Sequence, residues 1–583
     1  MLVIGVSGLP RAVDFKRRRW PGLPEREYRI SQGHDSAAAL LRDGEILAAV
    51  AEERISRRKH TGEFPRGAID ACLAQAGVSI EEVDEIAHSF DYAPYRSLYS
   101  LAQPSRELYS EVLCPDAFDE DARRALPGFR GSIAHVDHHL AHAASAHLTS
   151  GWQECLVVVI DGMGEAHGAS VYHAREGGLE VLHRISAADS IGILYSIVTL
   201  HLGFEFNADE YKIMGLAPYG DARRFGAFFE EAVRLRDDGG WSVPLLKLDG
   251  SPQERERHLP ARAELTRGLT PAREPEGPLG EEQADVAAAL QACLDRALVH
   301  LCGHFGRATG LRRLALAGGV ALNTTANGRL AAEGSFQEIY VQPAAGDDGS
   351  ALGAALHRAD AHAPVTNRRS PTPFYGPGHA AEEIEDALSR HAGRTRVRRL
   401  DSLARACESA AELIAAGQVV AWYRGRMEFG PRALGHRSIL ADPGLPGMRD
   451  RVNELVKMRE AFRPFAPAVA IEEVDRWFAV PTGTELPYMT VNVSVRPEHR
   501  QALPAVTHVD GSARVQTVAA HDNADFHELL VAVGRHTGRR MVLNTSFNVR
   551  GQPIVNSPSE AIATFLDCGI QALFMESTLV LKA

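Results

Sequence analysis

The first 363 residues contain one succession of elements twice, and this repetition limits the possible folds more than any other feature. Each set begins with an apolar strand, LVIGVSG at residues 2–8 and CLVVVIDGMGE at 155–165, and continues with a hairpin and a helix. An acidic or glycine-containing turn follows each first strand. Strands that alternate with helices are typical of α/β domains. The repetition predicts a duplicated nucleotide-binding fold of the actin and hexokinase architecture.

The length and one proline-rich stretch predict the division into domains. A chain of 583 residues is longer than one hydrophobic core normally organises. Residues 362–379 carry four prolines and little periodicity, which is typical of a linker. We therefore predict an α/β domain at 1–363, a linker at 364–378 and a second α/β domain at 379–583.

Charge and composition exclude several classes of partner. A formal net charge of -12 argues against nucleic acid, because neutralising many phosphates requires an excess of Lys and Arg. No basic leader precedes an apolar stretch, and no window reaches about 18 uninterrupted apolar residues. The seven cysteines contain no CxxC pair and read as reduced packing residues. We expect a cytoplasmic protein with a small-molecule partner and no membrane contact.

One histidine pair has the spacing of metal ligands. His138 and His142 in HVDHHLAHAASAH lie four residues apart, so a helix places both imidazoles on one face. Asp161 ends an apolar strand, and Asp347 and Asp348 open a small-residue helix. Two histidines with one or two carboxylates favour iron or manganese over structural zinc. The alternative is that the histidines cap or line an apolar interior.

Two turns next to strands, one after a strand and one before a strand, are candidates for substrate contacts. Gly318 and Gly319 in LALAGGVALN precede Asn323, and a backbone without Cβ lets a phosphate or ribose approach closely. The alternative is that the glycines serve packing alone. His34 and Asp35 in GHDSAAALL stand at the entrance to an apolar strand, where His34 is a candidate general base toward a hydroxyl. A turn residue that bonds its own backbone is the other reading.

Basic residues of the second domain predict an anion site. The segment RGRMEFGPRALGHRS at residues 424–438 holds four arginines among Gly and Pro, in a protein that is otherwise acidic. Guanidinium groups and loop N–H groups bind phosphate oxygens well. Solvated surface ion pairs remain the alternative for any one residue. The full set of candidates is Arg424, Arg426, Arg432, Arg437, Lys457, Arg463, Arg514, Ser546 and Asn548.

Taken in order along the chain, these motifs resemble one family. They are GHDSAAALLRDGEI, AEERISRRKHTGEFP, DHHLAHAASA, DEYKIMGLAPYGD, AGGVALN, RGRMEFGPRALGHRSILADP, FRPFAPAV, HVDGSARVQTV and LNTSFNVRGQPIV. The chain resembles the O-carbamoyltransferases of nodulation-factor and antibiotic biosynthesis. The resemblance implies an actin/hexokinase-like (ASKHA) amino-terminal domain, akin to tRNA threonylcarbamoyl-transfer enzymes, and a YrdC-like carboxy-terminal domain.

The resemblance also implies a two-step reaction. Carbamoyl phosphate and ATP, with Mg²⁺, would give carbamoyl adenylate and pyrophosphate in the YrdC-like domain. A substrate hydroxyl would take the carbamoyl group in the other domain, with His34 as the base, and AMP would leave. The implied phosphate-binding residues are Arg432, Lys457, Arg463, Arg514 and Ser546. The implied ligands of Fe²⁺ are His138, His142, Asp161 and Asp347.

Some details stay open at this point. The segment Lys16–Arg29 is longer and more basic than the family's usual loop, and it is either a solvated loop or one wall of the acceptor pocket. Either Asp347 or Asp348 is the ligand. A hexokinase-like kinase and a tRNA threonylcarbamoylation fusion are the competing functions, and the net charge opposes the latter. The acceptor and the choice between monomer and homodimer are not predicted.

Overall fold

The computed structural model describes residues 1–363, 372–457, 460 and 462–583, without the side chain of Lys457. The chain divides into two compact units. The first comprises Met1–Ser56 and His60–Ser370, and the second comprises Arg57–Lys59 and Pro371–Ala583. Residues 364–371 of the predicted linker lie outside the described part, and the predicted domain boundaries stay predictions.

The first unit contains two five-stranded sheets and a short ribbon. Its strands are β1 (Leu2–Val6), β2 (Ala37–Arg42), β3 (Glu45–Ala51), β4 (Glu85–His88), β5 (Ser132–His135), β6 (Cys155–Ile160), β7 (His167–Arg175), β8 (Gly178–Ser186), β9 (Arg234–Leu235), β10 (Trp241–Ser242), β11 (Arg313–Ala317) and β12 (Glu338–Val341). The sheet orders are β3-β2-β1-β4-β5 and β8-β7-β6-β11-β12.

The two sheets have the same topology. In each, the first three strands are antiparallel neighbours, the fourth strand pairs with the first in parallel, and the fifth pairs with the fourth in parallel. Parallel pairing needs a crossover, and helices supply it. This duplication confirms the predicted actin/hexokinase-like fold class.

Fifteen α-helices of the described first unit surround these sheets. They are α1 (Ala12–Arg19), α2 (Glu25–Tyr28), α3 (Glu52–Ser56), α4 (Arg66–Ala76), α5 (Gln103–Leu108), α6 (Pro115–Ala125), α7 (His138–Ser150), α8 (Ile191–His201), α9 (Glu210–Leu216), α10 (Gly226–Ala232), α11 (Pro252–Arg255), α12 (Leu259–Gly268), α13 (Glu281–Thr309), α14 (Thr324–Ala332) and α15 (Asp347–His362). Helix α13 is long and apolar enough to cross a membrane, but 72% of its most apolar window is buried inside the fold, as in a core helix.

The last helix of each half crosses to the other half. Helix α7 follows β5 but packs on β6 and β11, whereas α15 follows β12 but packs on β1 and β2. The two helices also pack against each other, and glycine permits the close approach. A Cβ on Gly353 would lie 1.8 Å from the carbonyl oxygen of Ala141 in α7. The N-termini of two helices from different halves therefore meet at one place.

The segment Lys16–Arg29 contains the end of α1 and all of α2, and buried side chains anchor it although half of its residues are exposed. Lys16 is 2% exposed, and its ammonium donates to the carbonyl oxygens of Ile30 and Glu256. Glu27 is also buried and accepts hydrogen bonds from Arg257 and Arg262 at 2.6 and 2.9 Å. Its place as a wall of the acceptor pocket stays a prediction.

The second unit is built on a mixed sheet of eight strands. The strands of the whole unit are β13 (Thr395–Arg399), β14 (Val420–Tyr423), β15 (Arg437–Ala441), β16 (Ala466–Ala470), β17 (Asn492–Ser494), β18 (Ser512–Arg514), β19 (Gln516–Val518), β20 (Met541–Ser546), β21 (Ala572–Met575) and β22 (Thr578–Lys582). The large sheet runs β13-β22-β21-β14-β15-β20-β16-β19, and β17 pairs with β18.

Hydrophobic clusters cover both faces of this sheet. Val420 and Trp422 of β14 face one cluster, and Ala421 and Tyr423 face the other, as the two-residue period of a strand requires. The helices are α16 (Ala381–Arg390), α17 (Leu403–Ala415), α18 (Met448–Val452), α19 (Val474–Trp477), α20 (Ala524–Thr537) and α21 (Pro558–Asp567). The unit is α/β, and its YrdC-like character stays a prediction.

The tight crossing of α7 and α15 gives a testable prediction. We expect Gly353→Ala to lower the free energy of unfolding by on the order of 3 kcal/mol, because the new methyl group meets a backbone oxygen that cannot move aside. Gly226→Ala is the matched control, since a Cβ there has no atom within 4 Å. Thermal denaturation of both variants measures the difference, and equal melting temperatures would contradict the packing described.

Candidate metal centre and anion site

The four residues predicted as metal ligands lie together in the first unit. One donor atom from each of His138, His142, Asp161 and Asp347 lies within 4.8 Å of all the others, and all four residues are buried. The His138 Nε2 atom is 3.1 Å from His142 Nε2 and 3.3 Å from Asp161 Oδ2. It is also 3.5 Å from Asp347 Oδ1. We call these four residues the His138 cluster.

The start of α7 orients the first imidazole. Asp137 caps the helix by accepting from the Leu140 N–H at 2.9 Å, and Glu165 accepts from the His138 N–H at 3.0 Å. The His138 Nδ1–H donates to the carbonyl oxygen of Ser89 at 3.1 Å. This bond leaves the Nε2 lone pair directed into the cluster, which is how protein metal ligands are oriented.

The crossing of the helices explains why the two aspartates join the histidines. Asp347 is the first residue of α15, and Asp161 directly follows β6. The Gly319 N–H donates to Asp161 Oδ1 at 3.0 Å and holds that carboxylate in place. The cluster thus combines one helix start from each half with a strand end.

The electrostatics of the cluster favour a cation. Burial and the Asp347 carboxylate oppose ionisation of Asp161, but the hydrogen bond and charge of His138 outweigh them and lower its pKa to about 2. Burial disfavours a charged His138, yet the two carboxylates raise its pKa well above the usual value. A positive charge between the aspartates is therefore stabilising, and a divalent metal could supply it in place of the proton. Two nitrogen and two oxygen donors fit Fe²⁺ or Mn²⁺.

His34 lies beside this cluster. Its Nδ1 atom is 4.0 Å from Asp347 Oδ2, and its Nε2 atom is 3.6 Å from Asp35 Oδ2. Within the described residues the Nδ1 atom has no hydrogen-bond partner. An imidazole nitrogen in that position can accept a proton from a hydroxyl bound next to the cluster.

A second group of ligand-type side chains lies on the other side of His34. Donor atoms of Asp35, Glu53 and His60 lie within 4.8 Å of one another, and Asp35 Oδ1 is 2.8 Å from His60 Nδ1. Asp348 lies near this group and not in the His138 cluster. Its burial, with the nearby Asp35 carboxylate, raises its pKa to about 7. Sequence reasoning missed Glu53 and His60, although both stand in the quoted AEERISRRKH motif.

The turn predicted to bind a nucleotide, formed by Gly318, Gly319 and Asn323, makes contacts that support the fold. Gly318 has φ +87, and a Cβ there would lie 2.3 Å from the carbonyl oxygen of Ile160. The Asn323 side chain caps α14 by accepting from the Ala326 N–H at 3.0 Å. It also pairs with Gln291 at 2.9 Å. These observed contacts are structural, and nucleotide binding by Gly318, Gly319 and Asn323 stays a prediction.

Three of the four arginines in the arginine loop, residues 424–437, bind the protein itself. Arg437 is fully buried, donates to the carbonyl oxygens of Arg424 and Gly425, and stacks on Tyr423 at 3.7 Å. Arg424 pairs with Asp525 at 2.7 Å, and Arg426 donates to the carbonyl oxygen of Gly376 at 3.0 Å. These contacts contradict an anion pocket formed by all four arginines, because these three side chains donate to carbonyl and carboxylate oxygens of the protein.

A buried carboxylate shapes the same loop. Glu428 Oε1 accepts from the N–H groups of Leu434, His436 and Arg437 at 2.8, 2.8 and 3.1 Å. Two side chains of the sheet also bind the loop. Asn544 donates to the carbonyl oxygen of Ala433, and Gln516 donates to that of Leu434. These contacts anchor the two residues that directly follow Arg432 to β20 and β19.

The strand register brings the remaining phosphate candidates to one edge of the large sheet. Ser438 at the start of β15 pairs with Ser546 at the end of β20. Ala466 at the start of β16 pairs with Asn544, and Ala468 with Gln516 at the start of β19. The candidates that stand next to these strand ends in the sequence are Arg432, Arg463, Arg514, Ser546 and Asn548.

Some of these candidate side chains already bind other groups of the protein. Ser546 donates to Asn548 Oδ1 at 2.7 Å, and Asn548 donates to the carbonyl oxygen of Gln552 at 2.6 Å, so Asn548 also supports the turn. Arg463 lies 3.3 Å from Glu460. The side chain of Lys457 lies outside the described residues, and its predicted role stays a prediction.

The geometry distinguishes the two adjacent aspartates. We expect Asp347→Asn to weaken Fe²⁺ binding by at least about 100-fold, since it removes a ligand, whereas Asp348→Asn leaves Fe²⁺ binding within about tenfold of the wild-type value. Anaerobic reconstitution followed by metal analysis measures both. Loss of iron from the Asp348→Asn variant alone would contradict this assignment.

Comparisons with known proteins cover both units. A family model described as "Carbamoyltransferase N-terminus" matches residues 28–95 and 120–356, and one described as "Carbamoyltransferase C-terminus" matches 411–582. Component A of the Acidaminococcus fermentans (R)-2-hydroxyglutaryl-CoA dehydratase is a solved structure with 15% identity and a TM-score of 0.31, covering 62% of this chain and 99% of its own.

Two curated relatives extend along nearly the whole chain. Nodulation protein NolNO of Sinorhizobium fredii is 40% identical over 94% of this chain and 79% of its own length. The 3'-hydroxymethylcephem-O-carbamoyltransferase of Amycolatopsis lactamdurans is 28% identical over 94% of this chain and 97% of its own. The family matches and the identity with NolNO show that this chain is an enzyme of the carbamoyltransferase family.

Proposed function

We propose that the protein is an ATP-dependent O-carbamoyltransferase that carbamoylates a hydroxyl of a natural-product acceptor, an antibiotic or a sugar. The observation that carries the proposal is the His138 cluster with His34 beside it. A hydroxyl bound there would meet a base and a cation-binding group together. The family membership supports the carbamoyl group as the unit transferred.

In the proposed first step, the second unit makes the activated donor. Water hydrolyses carbamoyl phosphate to carbamate and inorganic phosphate, and a carbamate oxygen then attacks the α-phosphorus of ATP. A new P–O bond gives carbamoyl adenylate, and the bond to pyrophosphate breaks. Arg432, Arg463, Arg514 and Ser546 supply donors at one sheet edge, where each charge-assisted bond to a dianion contributes about 1.5–3 kcal/mol. Mg²⁺ accompanies the ATP.

In the proposed second step, the first unit transfers the carbamoyl group. The acceptor hydroxyl oxygen attacks the carbamoyl carbon, its proton passes to His34 Nδ1, and the bond from that carbon to the AMP oxygen breaks. Asp35, 3.6 Å from Nε2, would stabilise the positive charge that the ring gains. Fe²⁺ held by the His138 cluster would supply Lewis acidity and no redox chemistry. Exclusion of water protects the adenylate from hydrolysis.

The partners follow from the same proposal. They are a small-molecule hydroxyl acceptor, carbamoyl phosphate and ATP, with neither nucleic acid nor membrane, in a cytoplasmic monomer or homodimer. The measurement that tests the acceptor class is a gain of one carbamoyl group in mass, sought across aminoglycosides, hydroxymethylcephems, macrolactams and lipo-oligosaccharides.

Variants in the two units should separate the two steps. We expect Arg432→Ala to lower pyrophosphate release from ATP and carbamoyl phosphate about 10- to 100-fold, the loss of one charge-assisted bond. His34→Ala should retain pyrophosphate release but lower acceptor carbamoylation by about 10²–10⁴-fold, the usual contribution of a general base. A pyrophosphate-release assay measures the first step, and mass spectrometry of the acceptor measures the second.

Arg396→Ala, at an exposed residue of β13, is the control for loss of charge in the second unit. Wild-type protein that forms ADP with an acceptor and ignores carbamoyl phosphate would be a kinase instead. A His34→Ala variant that loses pyrophosphate release would contradict the assignment of His34 to the second step.

A further inference from the structure

The group formed by Asp35, Glu53 and His60 is not used by the proposed reaction beyond the contact of Asp35 with His34. We name it the Asp35 cluster. Its donor atoms lie within 4.8 Å of one another. It is built from two carboxylates and one imidazole, which is a cation-binding set of donors.

The backbone brings these side chains together from two separate loops. Asp35 directly precedes Ser36, whose N–H donates to the carbonyl oxygen of Thr61 at 2.8 Å. The His60 N–H donates to Glu53 Oε2 at 3.0 Å, which ties the third member to the start of α3. The three positions are therefore fixed relative to one another without any help from a ligand.

Several carboxyl groups lie close together around Asp35. The contacts of its carboxylate are to two imidazoles, His60 at 2.8 Å and His34 at 3.6 Å. Glu53 and Asp348 add two more carboxyl groups nearby. Arg54 forms an ion pair with the Glu53 carboxylate at 2.8 Å. Like charges held together are stabilised when a cation lies between them.

From these contacts we infer that the Asp35 cluster is a second divalent-cation site, with Asp35, Glu53 and His60 as its protein ligands. Oxygen-rich donors suit Mg²⁺ or Mn²⁺, whereas the nitrogen-richer His138 cluster suits Fe²⁺ or Mn²⁺. His34 lies between the sites, with Nε2 toward one and Nδ1 toward the other. This inference goes beyond the proposed function and does not depend on it.

The chemical consequence concerns anions. Three protein ligands leave open positions on a six-coordinate cation, and phosphate oxygens are the ligands such cations most often add. The Asp35 cluster would therefore take the cation together with a phosphate-bearing small molecule, on the opposite side of His34 from the His138 cluster.

Counting bound Mn²⁺ tests the inference with the metal alone. The full-length chain, stripped of metal by chelation and dialysis, is titrated with Mn²⁺, and free Mn²⁺ is measured by electron paramagnetic resonance. We expect two equivalents in the wild type. Asp35→Asn with His60→Gln should bind one equivalent, and Asp161→Asn with His142→Gln should also bind one. Glu63→Gln, at an exposed carboxylate in the same region, should retain two.

Every outcome of the Mn²⁺ titration either supports or overturns the second cation site. A wild type that binds no Mn²⁺, or an Asp35→Asn/His60→Gln variant that binds as many equivalents as the wild type, would overturn the inference. If circular dichroism shows that the double variant fails to fold, Glu53→Gln decides instead. A tenfold or greater weakening of one of the two equivalents supports the site, and unchanged binding of both overturns it.

Discussion

The contact between α7 and α15 is the constraint on which the first unit depends. Each helix ends one half of the duplicated fold and packs on the sheet of the other half. Gly353 lets their backbones meet, so that the first turns of both helices arrive at the end of β6. Without this crossing, His138 and Asp347 would lie in separate halves.

Elements with a strong local pattern were predictable from the sequence. The strand and helix succession predicted the duplicated fold, and the four-residue spacing of His138 and His142 predicted a shared helix face. Asp161 was predictable because a carboxylate directly after an apolar strand requires a positive partner. The choice of Asp347 over Asp348 was not, since adjacent helical residues point in different directions that only the packing of α15 fixes.

The arginine loop shows the opposite case. Four arginines in a loop of Gly and Pro predicted an anion pocket, yet Arg424, Arg426 and Arg437 satisfy the loop and its neighbours. Composition does not distinguish a guanidinium that binds a ligand from one that binds carbonyl oxygens, because both need the same donors. The acid that organises the loop, Glu428, has no signal of its own in MEFGPRALG. The register of β15, β16, β19 and β20, which gathers the other candidates, depends on pairing between distant segments.

The crossing of α7 and α15 also bears on how the first unit folds. More than 200 residues separate the histidines of the His138 cluster from Asp347 along the chain. Contacts between such distant segments form late, after the loop between them has closed. A half-folded chain therefore offers only part of the donor set, and a metal that needs all four donors binds the finished unit alone. Binding of that kind raises the stability of the native state by mass action. In a cell, the supply of metal would then help to determine how much of this enzyme remains folded.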